Sequence, residues 1–464
     1  MQYVSTRGGS PALDFEAVTL QGLAPDGGLY VPQTWPRLTP EEIRSLAGLP
    51  YPELGARVMR PFVGDTLSPA QLLALCERAY HAFAHPAVAP LAQLDEQRWL
   101  LDLTRGPTLA FKDIALQLVG LLFETFLARS HRHLTIIGAT SGDTGSAAID
   151  AVAGREHVDI FMLHPADRIS DVQRRQMTTV LAPNVHNIAV QGSFDDVQAM
   201  VKRMFSDADL TRSLNLGAVN SINWARLMAQ VVYYFAAAVQ LGGPARPVAF
   251  SVPTGNFGDA YAGYVAHRMG LPLHRLVVAT NINDILHRAL TGGEYARGDL
   301  QPTSSPSMDI QVSSNFERLL FDAGGRDGAV TRGQLEQFEG TGAASLTSGQ
   351  RRMIDRVFTS CRASEDEAAE GMRWAWECAG VLIDPHTAVG LHAARQQHCP
   401  ADVPIVTLAT AHPAKFRDAV ERATGQRPRL PARLGDLFAR AERCTRLPND
   451  YAAVAHYIAE NGRH

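Results

Sequence analysis

From Trp99 onward, short apolar runs alternate with loops rich in glycine and hydroxyl residues and with longer helical stretches. This alternation predicts a parallel sheet with crossover helices. Residues 133–138 read as a buried strand, followed by a loop over 139–146 and an alanine-rich helix. Further strands are expected over 158–163 and 185–190, the latter leading to a helix capped near Ser193. Residues 218–223 close this group and run into a long helix from Trp224, whose stretch 231–239 is apolar enough to be buried on all sides. A second group opens with a strand at 247–252 and the loop 253–259, and its strands resume at 403–408. Between them, residues 293–349 are rich in Ser, Gly and Pro and are expected to form an irregular excursion. The first 95 residues predict a mixed α/β segment, with positive φ permitted at Asp26-Gly27-Gly28 and a helix opening at Thr39-Pro40.

Composition narrows the function classes. A chain of 464 residues, 46% hydrophobic and 19% charged with net charge -4, has room for two or three domains and no basic excess suited to nucleic acid. No run reaches the roughly 18 apolar residues of a membrane span. The N-terminus lacks the layout of a secretion signal, so a cytoplasmic location is expected. Cys76, Cys361, Cys378, Cys399 and Cys444 form no CxxC pair, which argues against a disulfide framework or a structural zinc site.

Candidate chemistry starts from scarcity. Among 43 basic residues only Lys112, Lys202 and Lys415 are lysines. An amine can lose its proton and form an imine, which a guanidinium cannot, so Lys112 at a small, apolar turn into a helix is a nucleophile candidate. It also reads as a surface lysine on a first helical turn. Lys202 reads as the solvated face of an amphipathic helix. Two glycine-bearing loops between strand and helix, 141–145 and 255–259, can hold anions through backbone N–H groups; each alone reads equally as a tight turn. Residues 220–226 offer amides, a hydroxyl and Arg226 for an oxyanion, or simply a capped junction. His412 and Lys415 follow a strand end at 408–410, where ligands bind in α/β sheets. A lysine plus two anion loops fits a cofactor with an aldehyde and a phosphate, pyridoxal 5'-phosphate (PLP), and a substrate carrying its own anion.

These motifs resemble the threonine synthases of the longer bacterial and fungal type. Nine stretches fall in that family's order: YVSTRG, GLAPDGGLYVP, GPTLAFKD, ATSGDTGSAA, NSINWARLMAQVVYYF, VPTGNFGDAYAGY, SPSMDIQVSSNFERLL, DPHTAVG and ATAHPAKF. The resemblance implies the tryptophan-synthase-β-like PLP fold (fold type II), with two open parallel-sheet α/β units and an N-terminal α/β segment. The expected division is 1–95 for that segment, 131–229 for a small substrate-binding domain, and 96–130 with 230–464 for a large PLP-binding domain. The implied reaction converts O-phospho-L-homoserine and water to L-threonine and phosphate by γ-elimination and β-addition of water. Lys112 is implied as the lysine that joins the cofactor and moves protons. Gly255, Asn256, Phe257, Gly258 and Asp259 are implied along the cofactor phosphate, and Thr410 at its ring nitrogen. Ser141, Asp143 and Thr144 are implied at the substrate carboxylate and the cofactor's 3′ oxygen. Asn220, Ser221 and Arg226, helped by Thr144, are implied at the substrate's phosphate. Arg105 departs from the histidine expected before Gly106, and a minor effect is expected. A monomer or homodimer is expected, with no metal and no nucleic-acid partner. Two alternatives stay open: a related PLP enzyme of β-elimination or β-replacement on O-phospho- or O-acetylserine-type substrates, and a non-catalytic metabolite-binding relative.

Overall fold

The computed structural model describes residues 1–140, 142–166, 169–217 and 221–463, with the backbone alone for residues 208, 209 and 212. Two open sheets organise it. The larger runs Phe358–Arg362, Leu273–Thr280, Val248–Pro253, Ile405–Ala409, Arg98–Asp102, Leu91–Gln93, parallel throughout except for the last, antiparallel strand. The smaller runs Thr445–Pro448, Val185–Gln191, Val158–Pro165, Leu134–Ala139, Leu216–Gly217 and is wholly parallel. Strands buried on both faces need no alternation of apolar and polar residues, which is why they read as continuous apolar runs.

The two sheets share a core. One apolar cluster takes in Ile136 and Ile160 of the smaller sheet and Val248, Phe250, Val406 and Leu408 of the larger. Between them lie the helices Lys112–Ser130 and Trp224–Gln240, the second buried along its whole length from Trp224 to Val239. No helix among the described residues is long and apolar enough to cross a membrane. The outer face of the larger sheet is covered by Glu365–Ala379 and Pro385–Arg395.

The N-terminal segment docks on the Trp224 helix. Its hairpin Tyr3–Ser5/Tyr30–Pro32 places Tyr3 5.7 Å from the Trp224 ring, and Phe62 lies 5.6 Å from the same ring. The helix expected at Pro40 forms as Pro40–Arg44, with Thr39 and Glu42 in a reciprocal capping box.

Three expectations are corrected by the topology. Residues 230–464 do not all stay with the larger sheet: Thr445–Pro448 adds to the edge of Val185–Gln191, and Tyr451–Asn461 lays Val454 and Ile458 against the smaller sheet's outer face. Edge pairing and apolar cover draw this segment back, and the Arg463–Asp159 ion pair at 2.8 Å closes it. The boundary at residue 95 falls inside a hairpin, because Leu91–Gln93 pairs with Arg98–Asp102. The 293–349 stretch contains two helices, Phe316–Ala323 and Gly328–Thr341, the second capped by Asp327. Phe316, Leu319 and Leu320 are buried at helical spacing. Its preceding part is tied by Asp309, which accepts hydrogen bonds from Asn281, Asn283 and Thr303.

Candidate active site

Lys112 opens its helix immediately after a turn that the sequence builds with little slack. Thr108 donates to Asp113 through its N–H (2.8 Å) and its hydroxyl (2.5 Å), closing the turn from the first helical residues. A Cβ on Gly106 would lie 2.4 Å from that of Asp113, so only glycine fits there. Leu109, buried, takes φ +64°, a left-handed conformation that a packed surrounding has to hold. That holding comes from the strand end: Phe111 N–H donates to Thr410 O at 2.9 Å and His412 N–H to Leu109 O at 3.0 Å. Thr410 therefore lies alongside the residue before Lys112, at the carboxyl ends of Arg98–Asp102 and Ile405–Ala409, which are in register at Asp102 and Ala409.

The helix Asp143–Val152 of the smaller sheet points its first residue at this lysine. Lys112 Nζ stands 3.6 Å from Asp143 Oδ2, while Lys415 Nζ stands 2.6 Å from Asp143 Oδ1. Gln173 also donates to Oδ1 (2.8 Å), and Lys415 donates to Thr108 O (2.9 Å). Gly142, at φ +138°, has no room for a Cβ, which would sit 2.5 Å from the Gln173 side chain. Thr140 Oγ1 receives N–H bonds from Gly142 and Gly145, shaping the loop. Burial alone would raise the Asp143 pKa, yet Lys415 and Lys112 hold its carboxyl far below the usual range. Burial lowers the Lys112 amine; Asp143 opposes this, and the positive charges of Arg226 and Lys415 add to the lowering.

Arg226, in the first turn of Trp224–Gln240, is 4% exposed. Its Nε and Nη1 have no hydrogen-bond partner among the described residues, and burial pushes its pKa down to about 10. A buried guanidinium with unused donors is a site for an oxyanion.

The third component is the loop after Val248–Pro253. Phe257 adopts φ +61° and Gly258 begins the helix Gly258–Arg268. The N–H groups of Gly255, Asn256, Phe257 and Gly258 find no acceptor among the described residues, and a Cβ on Gly255 would lie 2.7 Å from Ser307 O. Unpaired N–H groups converging at a helix N-terminus fit a phosphate. Asn315 pins the loop, donating to Asn256 O at 3.1 Å and to Ser221 O at 3.0 Å. Asp259 meets the loop through its backbone, since its carboxyl takes hydrogen bonds from the hydroxyls of Tyr233 and Tyr234. Burial raises that carboxyl to about 6, the two hydroxyls opposing.

The structure thus brings together Lys112, Asp143, Arg226, Thr410 and the 255–259 loop, with Ser221 joined through Asn315. Thr144 follows Asp143 and is partly exposed. Ser141 and Asn220 lie outside the described residues. Arg105 is turned to the surface, 47% exposed, paired with Asp102 at 2.6 Å. Sequence reasoning gave no role to Gln173, Asn315 or the group around Asp384. Asp384 takes hydrogen bonds from His386 Nδ1 (2.6 Å) and from the hydroxyl of Thr387. Through them it braces Ser307, beside Gly255, and the Thr410 N–H. The only signals for Asn315 and the Asp384 group were the SPSMDIQVSSNFERLL and DPHTAVG stretches that hold them, and Gln173 lies in neither.

Known proteins give this chain its family. The family described as threonine synthase N terminus matches residues 2–80, the threonine synthase C-terminal family matches 387–458, and the pyridoxal-phosphate dependent enzymes match 85–350. A threonine synthase of Pseudomonas aeruginosa is 55% identical over 100% of this chain and 99% of its own. The chain belongs to the threonine synthase family. Among solved threonine synthases, the PLP-bound enzyme from Brucella melitensis is 49% identical with a TM-score of 0.98, covering 100% of both chains. The yeast enzyme is 39% identical with a TM-score of 0.95, covering 99% of this chain and 98% of that one. These near-complete overlaps bear out the expected fold, PLP fold type II with an N-terminal segment.

Proposed function

We propose that this chain converts O-phospho-L-homoserine and water to L-threonine and phosphate, with Lys112 as the proton-transferring base and Arg226 as the grip on the departing phosphate. The observation that carries the residue assignment is the buried Arg226, two of whose donor nitrogens meet no partner among the described residues, its charge felt at Lys112. A γ-elimination needs positive charge where the leaving group develops its own, close to the base that takes the protons.

The N–H groups of residues 255–258 would hold the PLP phosphate and Thr410 its ring, and the cofactor would supply the electron sink that acidifies the substrate's Cα–H and Cβ–H. The chain's residues do the rest. Lys112, its amine lowered by burial, accepts the Cα proton and, once it has released that proton, accepts one from Cβ. Arg226 and Ser221 receive the phosphate as it leaves Cγ. Asp143 and Thr144, at the first turn of their helix, orient the substrate's polar end. Lys112 returns one proton to Cγ after the phosphate has left and one to Cα, and the OH of water adds at Cβ while its remaining proton goes to the released phosphate. The five-stranded unit is proposed as the substrate side and the six-stranded unit as the cofactor side, because Asp143 and Lys112 approach from one and the other.

Phosphate release measured with phosphohomoserine and with phosphoserine tests the substrate. Turnover of phosphohomoserine is expected, and turnover of phosphoserine alone would overturn the reading. The cofactor lysine is tested by borohydride reduction followed by peptide mapping, with the label expected on Lys112; absence of a reducible imine there would remove it.

A further inference from the structure

The chain keeps three lysines, and two of them converge on one carboxylate. Their distances are unequal. Lys415 Nζ lies 2.6 Å from Asp143 Oδ1, a charge-assisted hydrogen bond, whereas Lys112 Nζ lies 3.6 Å from Oδ2, beyond hydrogen-bond length. Oδ1 also receives Gln173 Nε2 at 2.8 Å. The Lys415 side chain is fully buried and is anchored a second time on Thr108 O at 2.9 Å, in the turn that presents Lys112. Gln176 Nε2 reaches the same carbonyl at 2.9 Å from the smaller unit. Asp143 is thus drawn towards Lys415 by two donors on one oxygen.

We propose that Lys415 is a positioning residue that captures Asp143 and keeps it from pairing fully with Lys112, so that the Lys112 nitrogen remains available to take up protons. This deepens the functional reading above and rests on Lys112 being the base. The charged groups facing Lys112 are Asp143, Arg226 and Lys415; those facing Lys415 are Asp143, Lys112, Asp113 and His412. Among the charged groups of the described residues facing Lys112, Asp143 alone favours the lysine's charged form. If Lys415 were merely packing, its charge would be wasted, because burying an ammonium costs several kcal/mol unless it is paired. Met or Leu would fill the space without that cost.

In Lys415→Met, Asp143 loses its nearer partner and Lys112 loses a repulsive neighbour, and both changes favour protonation at the Lys112 nitrogen. The test is the pH titration of the visible absorption band of the cofactor-loaded protein, with the pH profile of kcat measured in parallel. Both midpoints are expected to move up by about one pH unit in Lys415→Met, the low end for relief of a close charge. In Lys415→Arg both are expected to stay near wild type. Activity of the Met variant is expected to recover partly at high pH. A well-folded Met variant with unmoved or lowered midpoints overturns the proposal, as does an Arg variant that shifts as far as Met. If Met prevents folding, Lys415→Gln is read by the same two midpoints. Failure of the underlying reading is distinguishable, since it would show in wild type as no borohydride-fixed imine on Lys112.

Discussion

Replacing Arg226 with Met separates binding of the leaving group from the stability of the fold. Arg226 is buried, and its Nε and Nη1 face no acceptor among the described residues. Each charge-assisted hydrogen bond to a phosphate oxygen contributes about 1.5–3 kcal/mol. Two of them, engaged as charge develops, correspond to a loss of about a hundredfold to ten-thousandfold in kcat/KM. Much of it should fall on kcat, because the interaction strengthens towards the transition state. Stability should move the other way. The fall of this guanidinium from 12.5 to about 10 reflects a burial cost of about 3 kcal/mol when no anion is present. Met fills similar space without that cost, so Arg226→Met is expected to melt a few degrees higher in phosphate-free buffer. Added phosphate should then raise the melting temperature of wild type, by roughly 2.7 kcal/mol of stability at a hundred times its dissociation constant, and leave the variant nearly unmoved. The assays are coupled phosphate release and thermal denaturation with and without phosphate. A variant that keeps its kcat/KM within threefold, or that phosphate protects as well as wild type, refutes the reasoning.

Gly106→Ala places a Cβ 2.4 Å from that of Asp113 and disrupts the Thr108–Asp113 closure; a loss of about 1–3 kcal/mol in denaturant titrations is expected, with reduced cofactor retention. Asp259 is raised by burial from 3.8 to about 6, so its ionisation costs stability as pH rises from 3.8 through about 6. Asp259→Asn is therefore expected to gain on the order of 3 kcal/mol over wild type at pH 7 and nothing below about pH 4, measured by unfolding at both pH values. Arg105→His changes an exposed pair with Asp102 and is expected to alter stability by less than about 1 kcal/mol and kcat/KM by less than about twofold in the phosphate-release assay. A larger effect would place Arg105 nearer the chemistry than the surface pairing suggests.

Elements whose signals are local were legible from residue order alone. Strand Leu134–Ala139 came from an apolar run, the helix Pro40–Arg44 from its cap and proline, and the buried helix Trp224–Gln240 from apolar residues on every side. Residue order also marked Lys112, because a lysine kept in an arginine-rich chain is a chemical statement at one position. The return of Thr445–Pro448 to the smaller sheet was not legible, since four residues with no strong pattern become a strand only by meeting an open edge. The two helices within 293–349 were hidden by the Ser, Gly and Pro around them. In the site, packing across the two sheets sets which polar atoms are spent and which stay open. Tyr233 and Tyr234 engage the Asp259 carboxyl, Asn315 pins the anion loop, and Arg226 keeps donors that no described residue takes up. Above all it decided that Lys112 and Lys415, 303 positions apart in the chain, share Asp143 unequally. Charge partnership in a buried site depends on distances of a few tenths of an ångström across two sheets, and residue order does not encode those distances locally.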